Sequence, residues 1–217
     1  MRSIGHLFAA LTLAVSLAAC GGTSGKNPPI ATDDMQLGNP AATIQVVEYA
    51  SAACSHCAEF DDVVFPGFKA KYIDTGQIHY ALRELITSPE AYAEAGFLLA
   101  RCAGKDRYFG VLAAVFRAQE QWEDQLQKNQ TPDFRTPLLQ VALAAGMTEP
   151  QFNTCIQDDK AIEALNTRVK ANIKNTLNKE GRPQGTPIFY INGVQAFNGV
   201  PTLPDLDKAI AAAKTAK

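Results

Sequence analysis

Apolar and polar positions change period along the 217 residues. Thr43–Ala50 (TIQVVEYA) is β-rich and almost wholly apolar, the pattern of a central strand buried on both faces. Gln77–Ile86 predicts a second strand. Pro187–Ile191 predicts a third, which Asn192-Gly193 turns back into Val194–Phe197 as a hairpin. Helical spacing fills the intervals. One helix is expected from position 54 towards Asp74, with Phe60, Val63, Val64 and Phe68 on its apolar face and Pro66 as a kink or break. Thr87-Ser88-Pro89-Glu90 signals a helix start. Tyr108, Val111, Leu112, Val115, Phe116 and Trp122 then recur at helical spacing and read as packing core. Thr136-Pro137 opens another helix that Gly146 ends, and Thr148 with Gln151 makes a capping box. Ile162, Leu165, Val169, Ile173 and Leu177 mark a long helix that Gly181 can terminate, and a last helix covers Leu203–Ala213. The order is strand, helix, strand, helical block, hairpin, helix. This is an α/β chain in which sheet pieces at 35–87 and 182–217 flank a helical insertion at 88–181.

The first residues read as an address. Arg2 supplies a positive start, and Leu7–Ala19 is an apolar stretch of 13 residues. A spanning helix needs about 20, so residues 1–19 are expected to be an export signal. Leu17-Ala18-Ala19-Cys20 resembles the lipobox of bacterial lipoproteins, which implies a lipidated Cys20 at a membrane. Ordinary export, with Ser16 and Ala18 as the small residues at the cleavage site, is the alternative. Residues 21–34 (GGTSGKNPPIATDD) are small and polar, so 20–34 reads as a lipidated cysteine and flexible tether reaching roughly 20 Å.

Composition narrows the functions. With 47% hydrophobic residues a sizeable core can form. The net charge is −2, and −3 once the signal takes Arg2 away, with no run of one sign, so nucleic acid is not an expected partner. No glycine-rich dinucleotide loop, phosphate loop or serine-hydrolase elbow occurs. Three histidines and five cysteines give no basis for a histidine-rich metal centre, and neither a metal nor an organic cofactor is expected. Lipidating Cys20 would leave an even number of cysteines.

Cys54-Ser55-His56-Cys57 lies where a buried strand passes into a helix. A cysteine at a helix N-terminus faces unpaired backbone N–H groups, which stabilise its thiolate, and a protonated His56 adds a positive charge nearby. A stable thiolate is a good leaving group and makes the corresponding disulfide oxidising. A zinc site would want two more clustered ligands, whereas Cys102 and Cys155 stand singly. An inert structural disulfide is the other alternative to redox chemistry.

Glu48-Tyr49-Ala50-Ser51-Ala52-Ala53-Cys54-Ser55-His56-Cys57, followed far downstream by Gly185-Thr186-Pro187, resembles the DsbA-like branch of the thioredoxin superfamily. The resemblance runs from about residue 33 to the C-terminus. It implies a thioredoxin fold with an inserted α-helical domain. It makes Cys54 the exposed, attacked cysteine and Cys57 its buried partner, with Ser55 and His56 between them. Pro187 matches the family's cis-proline beside the active-site disulfide, although a trans proline opening a strand is equally consistent with the residues alone. Thr186 departs from the valine of the best-known oxidases and is seen in isomerase and reductase relatives, which bears on reaction direction. Glu48, the one charge in its strand, could face solvent; by resemblance it is a buried acid that takes the proton of the inner cysteine.

Some relatives carry a second disulfide in the insertion, which implies a bond between Cys102 and Cys155, worth roughly 4 kcal/mol in a chain-entropy estimate; two buried free thiols are the alternative. His79 reads as structural. The expected function is an exported, monomeric thiol-disulfide oxidoreductase that passes disulfides to thiol-bearing proteins in the bacterial periplasm. The resemblance further implies reoxidation by a DsbB-like, quinone-linked membrane partner. A reductase or isomerase of the same superfamily, and a peptide-binding chaperone with incidental cysteines, are the rival readings.

Overall fold

A computed structural model describes residues 27–216, and the expected signal, Cys20 and the first part of the tether lie outside the described residues. Five strands form one mixed sheet: β1 (Met35–Gly38), β2 (Gln45–Ala50), β3 (His79–Glu84), β4 (Ile188–Ile191) and β5 (Val194–Asn198), arranged β1-β3-β2-β4-β5. β2 is the central strand, parallel to β3 and antiparallel to β4, so Glu48 lies opposite Leu82 on one side and Phe189 on the other. Alternation along β2 splits the interior. Val46 and Ala50 join the main core with Tyr80, Leu82 and Phe189, while Val47 and Tyr49 join Leu85, Ile188 and Tyr190 on the opposite face. β1 was not foreseen. Its four residues (MQLG) are too few for their alternation to stand out, and pairing with β3 makes them a strand.

The segment after Cys54 is helical to Ile73, as α1 (Ser55–Glu59), a π-helical turn (Phe60–Val64), α2 (Phe65–Phe68) and a second π-helical turn (Lys69–Ile73). Pro66 falls where the first π-helical turn passes into α2, and the run stays helical through it, so it does not break the segment. The wider turns also change the face. Phe60, Val64 and Phe68 are buried at a spacing of four, while Val63 is 71% exposed, against expectation.

Between β3 and β4 run α3 (Glu90–Cys102), α4 (Tyr108–Gln127), α5 (Arg135–Ala144), α6 (Glu149–Ile156) and α7 (Asp159–Asn175), and α8 (Leu203–Thr215) closes the chain. Trp122 packs its ring against Tyr92 and Phe134 at centroid distances of 5.3 and 5.7 Å. A Cys102–Cys155 disulfide links the end of α3 to α6. α7 stops short of Gly181, because the Thr176 hydroxyl turns back to the Asn172 and Ile173 carbonyls, and Ile173 and Leu177 are left exposed. Buried Glu84 at the end of β3 pairs with Arg101 of α3 and Arg168 of α7, while Asn172 donates to its backbone carbonyl. These bonds fasten the insertion to the sheet.

Residues 27–34, expected to be free tether, instead lie on the sheet. Arg83 is 4% exposed and donates to Asn27 Oδ1 (2.8 Å), the Pro28 and Pro29 carbonyls and the Tyr49 hydroxyl (2.9 Å), and it pairs with Asp34 at 2.8 Å. A buried guanidinium needs all its donors satisfied, and the proline carbonyls accept without offering donors of their own. Asn27 N–H also donates to the Gly193 carbonyl in the β4–β5 turn at 2.8 Å.

Candidate active site

Cys54 is the N-cap of α1, with extended backbone (φ −94°, ψ 117°), and its Sγ accepts the Cys57 backbone N–H at 3.4 Å. That is the capping arrangement of serine or aspartate, made here by sulfur. The loop that presents it is tied on three sides. Cys54 N–H donates to the Ser51 carbonyl at 3.0 Å; buried Ser51 Oγ accepts the Thr87 N–H at 3.1 Å; and Gln119 Nε2 of α4 donates to the Ala52 carbonyl at 2.9 Å. At Gly96 of α3 an added Cβ would stand 2.8 Å from Val115 Cγ1 and 3.1 Å from Ala52 Cβ, so two inserted helices and this loop meet around a bare backbone. From the other side comes the Gly185–Pro187 loop before β4. The Thr186–Pro187 bond is cis, and Cys54 Sγ lies 3.3 Å from the Thr186 carbonyl, to which the thiol donates.

The two sulfurs differ sharply. Cys54 is half-buried and Cys57 is fully buried. Hydrogen bonding from the Cys57 thiol, opposed by burial and helped by the Thr186 side chain and the Cys57 and His56 backbone N–H groups, pulls the Cys54 thiol down to about 6. Burial, with the Cys54 sulfur alongside, pushes Cys57 well above an ordinary thiol. His56 acts on Cys54 through its backbone N–H and not through the imidazolium charge that the sequence suggested; its side chain, like that of Ser55, is exposed.

Glu48 is 2% exposed and does not face solvent. Burial raises its carboxyl to about 8 despite the Tyr80 hydroxyl, which donates to Oε2 at 2.5 Å, and it is close enough to Cys57 for their charges to interact. His79 bonds Gln36 at 2.8 Å on the edge of the sheet, away from the cysteines. Among the described residues no three metal-ligating side chains converge. The reading of the sequence missed Tyr80, Ser51, Thr87 and Gln119. Gln119 left a trace, because it continues the apolar stripe through Val115 to Trp122.

A family profile described as Thioredoxin matches residues 31–212. The solved alpha-DsbA1 of Wolbachia pipientis superposes with a TM-score of 0.72 at 29% identity, covering 85% of this chain and 92% of that one. The chain belongs to the DsbA-like branch of the thioredoxin superfamily. A Rickettsia bellii protein named, provisionally, a protein-disulfide oxidoreductase is 34% identical over 167 residues, or 76% of this chain and 60% of that protein. The chain spans between 55% and 60% of the length of such curated Rickettsia relatives. A protein-disulfide isomerase from Novosphingobium aromaticivorans shares the fold, with a TM-score of 0.65 at 24% identity. In this DsbA-like chain the sheet places Glu48 under Cys57, the insertion holds the loop in front of Cys54 through Gln119, and the Thr186–Pro187 loop closes the third side.

Proposed function

We propose that the protein is an exported thiol-disulfide oxidoreductase that introduces disulfides into client proteins. The observation that carries this reading is the opposite polarisation of the two sulfurs, Cys54 near 6 and Cys57 well above an ordinary thiol. In the oxidised form a client thiolate attacks Cys54 Sγ; the Cys54–Cys57 bond breaks and a client–Cys54 disulfide forms. Cys57 departs as a thiolate that holds its charge poorly in its buried site. Glu48, protonated at neutral pH, gives it a proton as it leaves. A second client thiolate then attacks the client sulfur of the mixed disulfide. Cys54 leaves readily because its thiolate is stabilised, and the client carries away the disulfide while the protein is left as a dithiol. A quinone-linked membrane thiol oxidase of the DsbB kind resets the pair. The chain works as a monomer in the bacterial periplasm, tethered through Cys20.

A reductase or isomerase direction is the second reading, favoured by Thr186 beside Cys54. Equilibrating the purified protein with glutathione buffers tests the choice. The oxidase reading expects the pair to hold its disulfide less strongly than the glutathione pool does, and Cys54→Ser to abolish client oxidation. A potential as reducing as that of a thioredoxin overturns the direction. Full protection of a cysteine-free client by Cys54→Ser, with no redox defect in cells, supports a chaperone instead.

A further inference from the structure

The loop that carries Thr186 and Pro187 to Cys54 runs from α7 to β4 with no helix or strand of its own. Its first half folds on Asn178, whose backbone N–H donates to the Arg182 carbonyl at 2.8 Å and whose Oδ1 accepts the Glu180 and Arg182 N–H groups at 3.1 and 2.8 Å. Its far end is taken up by the sheet, where the Gly199 N–H donates to the Pro187 carbonyl at 2.8 Å. Between these fixings, from Pro183 to Thr186, one backbone group is hydrogen-bonded among the described residues: the Thr186 carbonyl, to the Cys54 thiol. Gly185, directly before Thr186, has no atom within 4 Å of where a Cβ would stand, so packing adds nothing there. Backbone with so few bonds and contacts opens easily unless side chains hold it.

Gln184 supplies that hold. Its Nε2 donates to the Thr176 carbonyl at 2.8 Å and to Gln195 Oε1 at 3.2 Å, while its Oε1 accepts from Gln195 Nε2 at 3.0 Å and from Asn198 Nδ2 at 3.2 Å. An amide side chain offers two N–H donors and one oxygen with two lone pairs, so every hydrogen-bonding position of Gln184 is in use. A glutamine on a loop ordinarily turns in water, and fixing it costs rotamer entropy. Four bonds to three residues offset that cost. Thr176 follows the last helix of the insertion, whereas Gln195 and Asn198 belong to β5. One amide therefore ties both parts of the fold to the chain two residues ahead of Thr186.

We propose that Gln184 is a positioning residue for disulfide exchange: its amide fixes the Gly185–Pro187 loop at the distance from Cys54 at which Thr186 meets the sulfur. The role rests on the exchange reaction at Cys54 and holds in either direction of that reaction. Thr186 reaches the sulfur through its carbonyl, 3.3 Å away, and its side chain helps to hold the Cys54 thiolate. Both contacts depend on where the loop stands. An attacking thiolate must also line up with the sulfur beside this loop, and about 1 Å of misplacement in such a geometry costs up to about a hundredfold in rate. Loosening the clamp thus acts on the charge of the sulfur and on the seating of the client together.

The test compares Gln184→Ala, Gln195→Ala and the double variant with the parent, all as the full chain. The readouts are thiolate absorbance against pH in the reduced protein and steady-state oxidation of a dithiol peptide. Gln184→Ala is expected to lower the ionisation constant of Cys54 about threefold and to cut kcat/KM about tenfold, with most of the loss in KM. Gln195→Ala removes one donor and one acceptor and leaves the Thr176 and Asn198 bonds, so both readouts should move the same way by less. The double variant should match Gln184→Ala alone, because the second change removes a partner of a side chain already gone. A parent-like titration and KM in Gln184→Ala, even with a lower melting temperature, overturns the proposal. Additive losses in the double variant overturn it too, since the two glutamines would then act separately. Should Gln184→Ala fail to fold, Gln195→Ala decides: a shifted Cys54 titration supports the clamp and an unmoved one overturns it. A shifted titration in Gln184→Ala beside a parent inert towards thiols and disulfides overturns the exchange reaction and leaves the clamp standing.

Discussion

Tyr80 donates its hydroxyl to Glu48 Oε2 at 2.5 Å, and both side chains lie in the main interior below the cysteines. The bond lowers the carboxyl's proton affinity, yet burial outweighs it and Glu48 ends at about 8. The protein therefore keeps an acid that is neutral at working pH beside a sulfur that must take up a proton.

Glu48→Gln separates that chemical role from its cost. The folded carboxyl stands at about 8 against an ordinary value of 4.5, so between those limits the folded state binds more protons than the unfolded one. Stability contributed at this site falls as pH rises through that window. The Gln variant should melt higher than the parent, by a margin that is small near pH 5 and grows to several degrees by pH 8. Client oxidation at neutral pH should meanwhile slow by on the order of ten- to a hundredfold. An equal melting gain at every pH would show that Glu48 is ionised throughout.

Cys54 gives the opposite sign, and only in the dithiol form. Its folded value of about 6 lies below the 9.0 of an unperturbed thiol, so stability from the thiolate is complete above pH 9 and is lost as pH falls through 6. The melting temperature of the reduced protein minus that of the oxidised protein should rise between pH 6 and 9. Thiolate absorbance should titrate near 6, and Cys57→Ala, which removes the largest lowering cause, should move it upward. A normal alkaline titration of Cys54 would remove the basis of the mechanism.

How much of this could be read in advance differs by element. β2, the Cys54–Cys57 spacing at a helix start and Thr186-Pro187 were visible because each is a local pattern with a local cause. Thr148 and Gln151 form the expected capping box. β1 was hidden because an alternation only four residues long is too short to read and becomes a strand through β3. Tyr80 and Gln119 were hidden as site residues because both sit on apolar faces, and only the fold shows that their polar ends meet Glu48 and the Ala52 carbonyl. Val63 was misplaced because π-helical turns do not follow the period of 3.6.

The Cys102–Cys155 bond closes one side of the insertion well away from the reacting sulfurs. Replacing both cysteines by alanine should lower stability by about 2–4 kcal/mol in chemical denaturation while sparing peptide oxidation. An unchanged midpoint would show that the cross-link adds nothing to the native state.

Arg83→Met should release the first described residues from the sheet, since the Pro28 and Pro29 carbonyls and Asp34 lose their shared donor. Hydrogen exchange should accelerate over 27–34 and little elsewhere, with a stability loss of about 2–4 kcal/mol. Uniform acceleration across the sheet would place Arg83 in the general core instead.

The bond from Asn27 to Gly193 has a directional meaning. Gly193 caps the turn after β4, whereas Pro187 precedes that strand, so Asn27 is pinned at the pole opposite the sulfurs, roughly 20 Å away. Anything fastened upstream of Asn27 holds the molecule by its heel. Under the proposed attachment through Cys20, the reacting sulfurs would sit on the side turned away from the anchored heel.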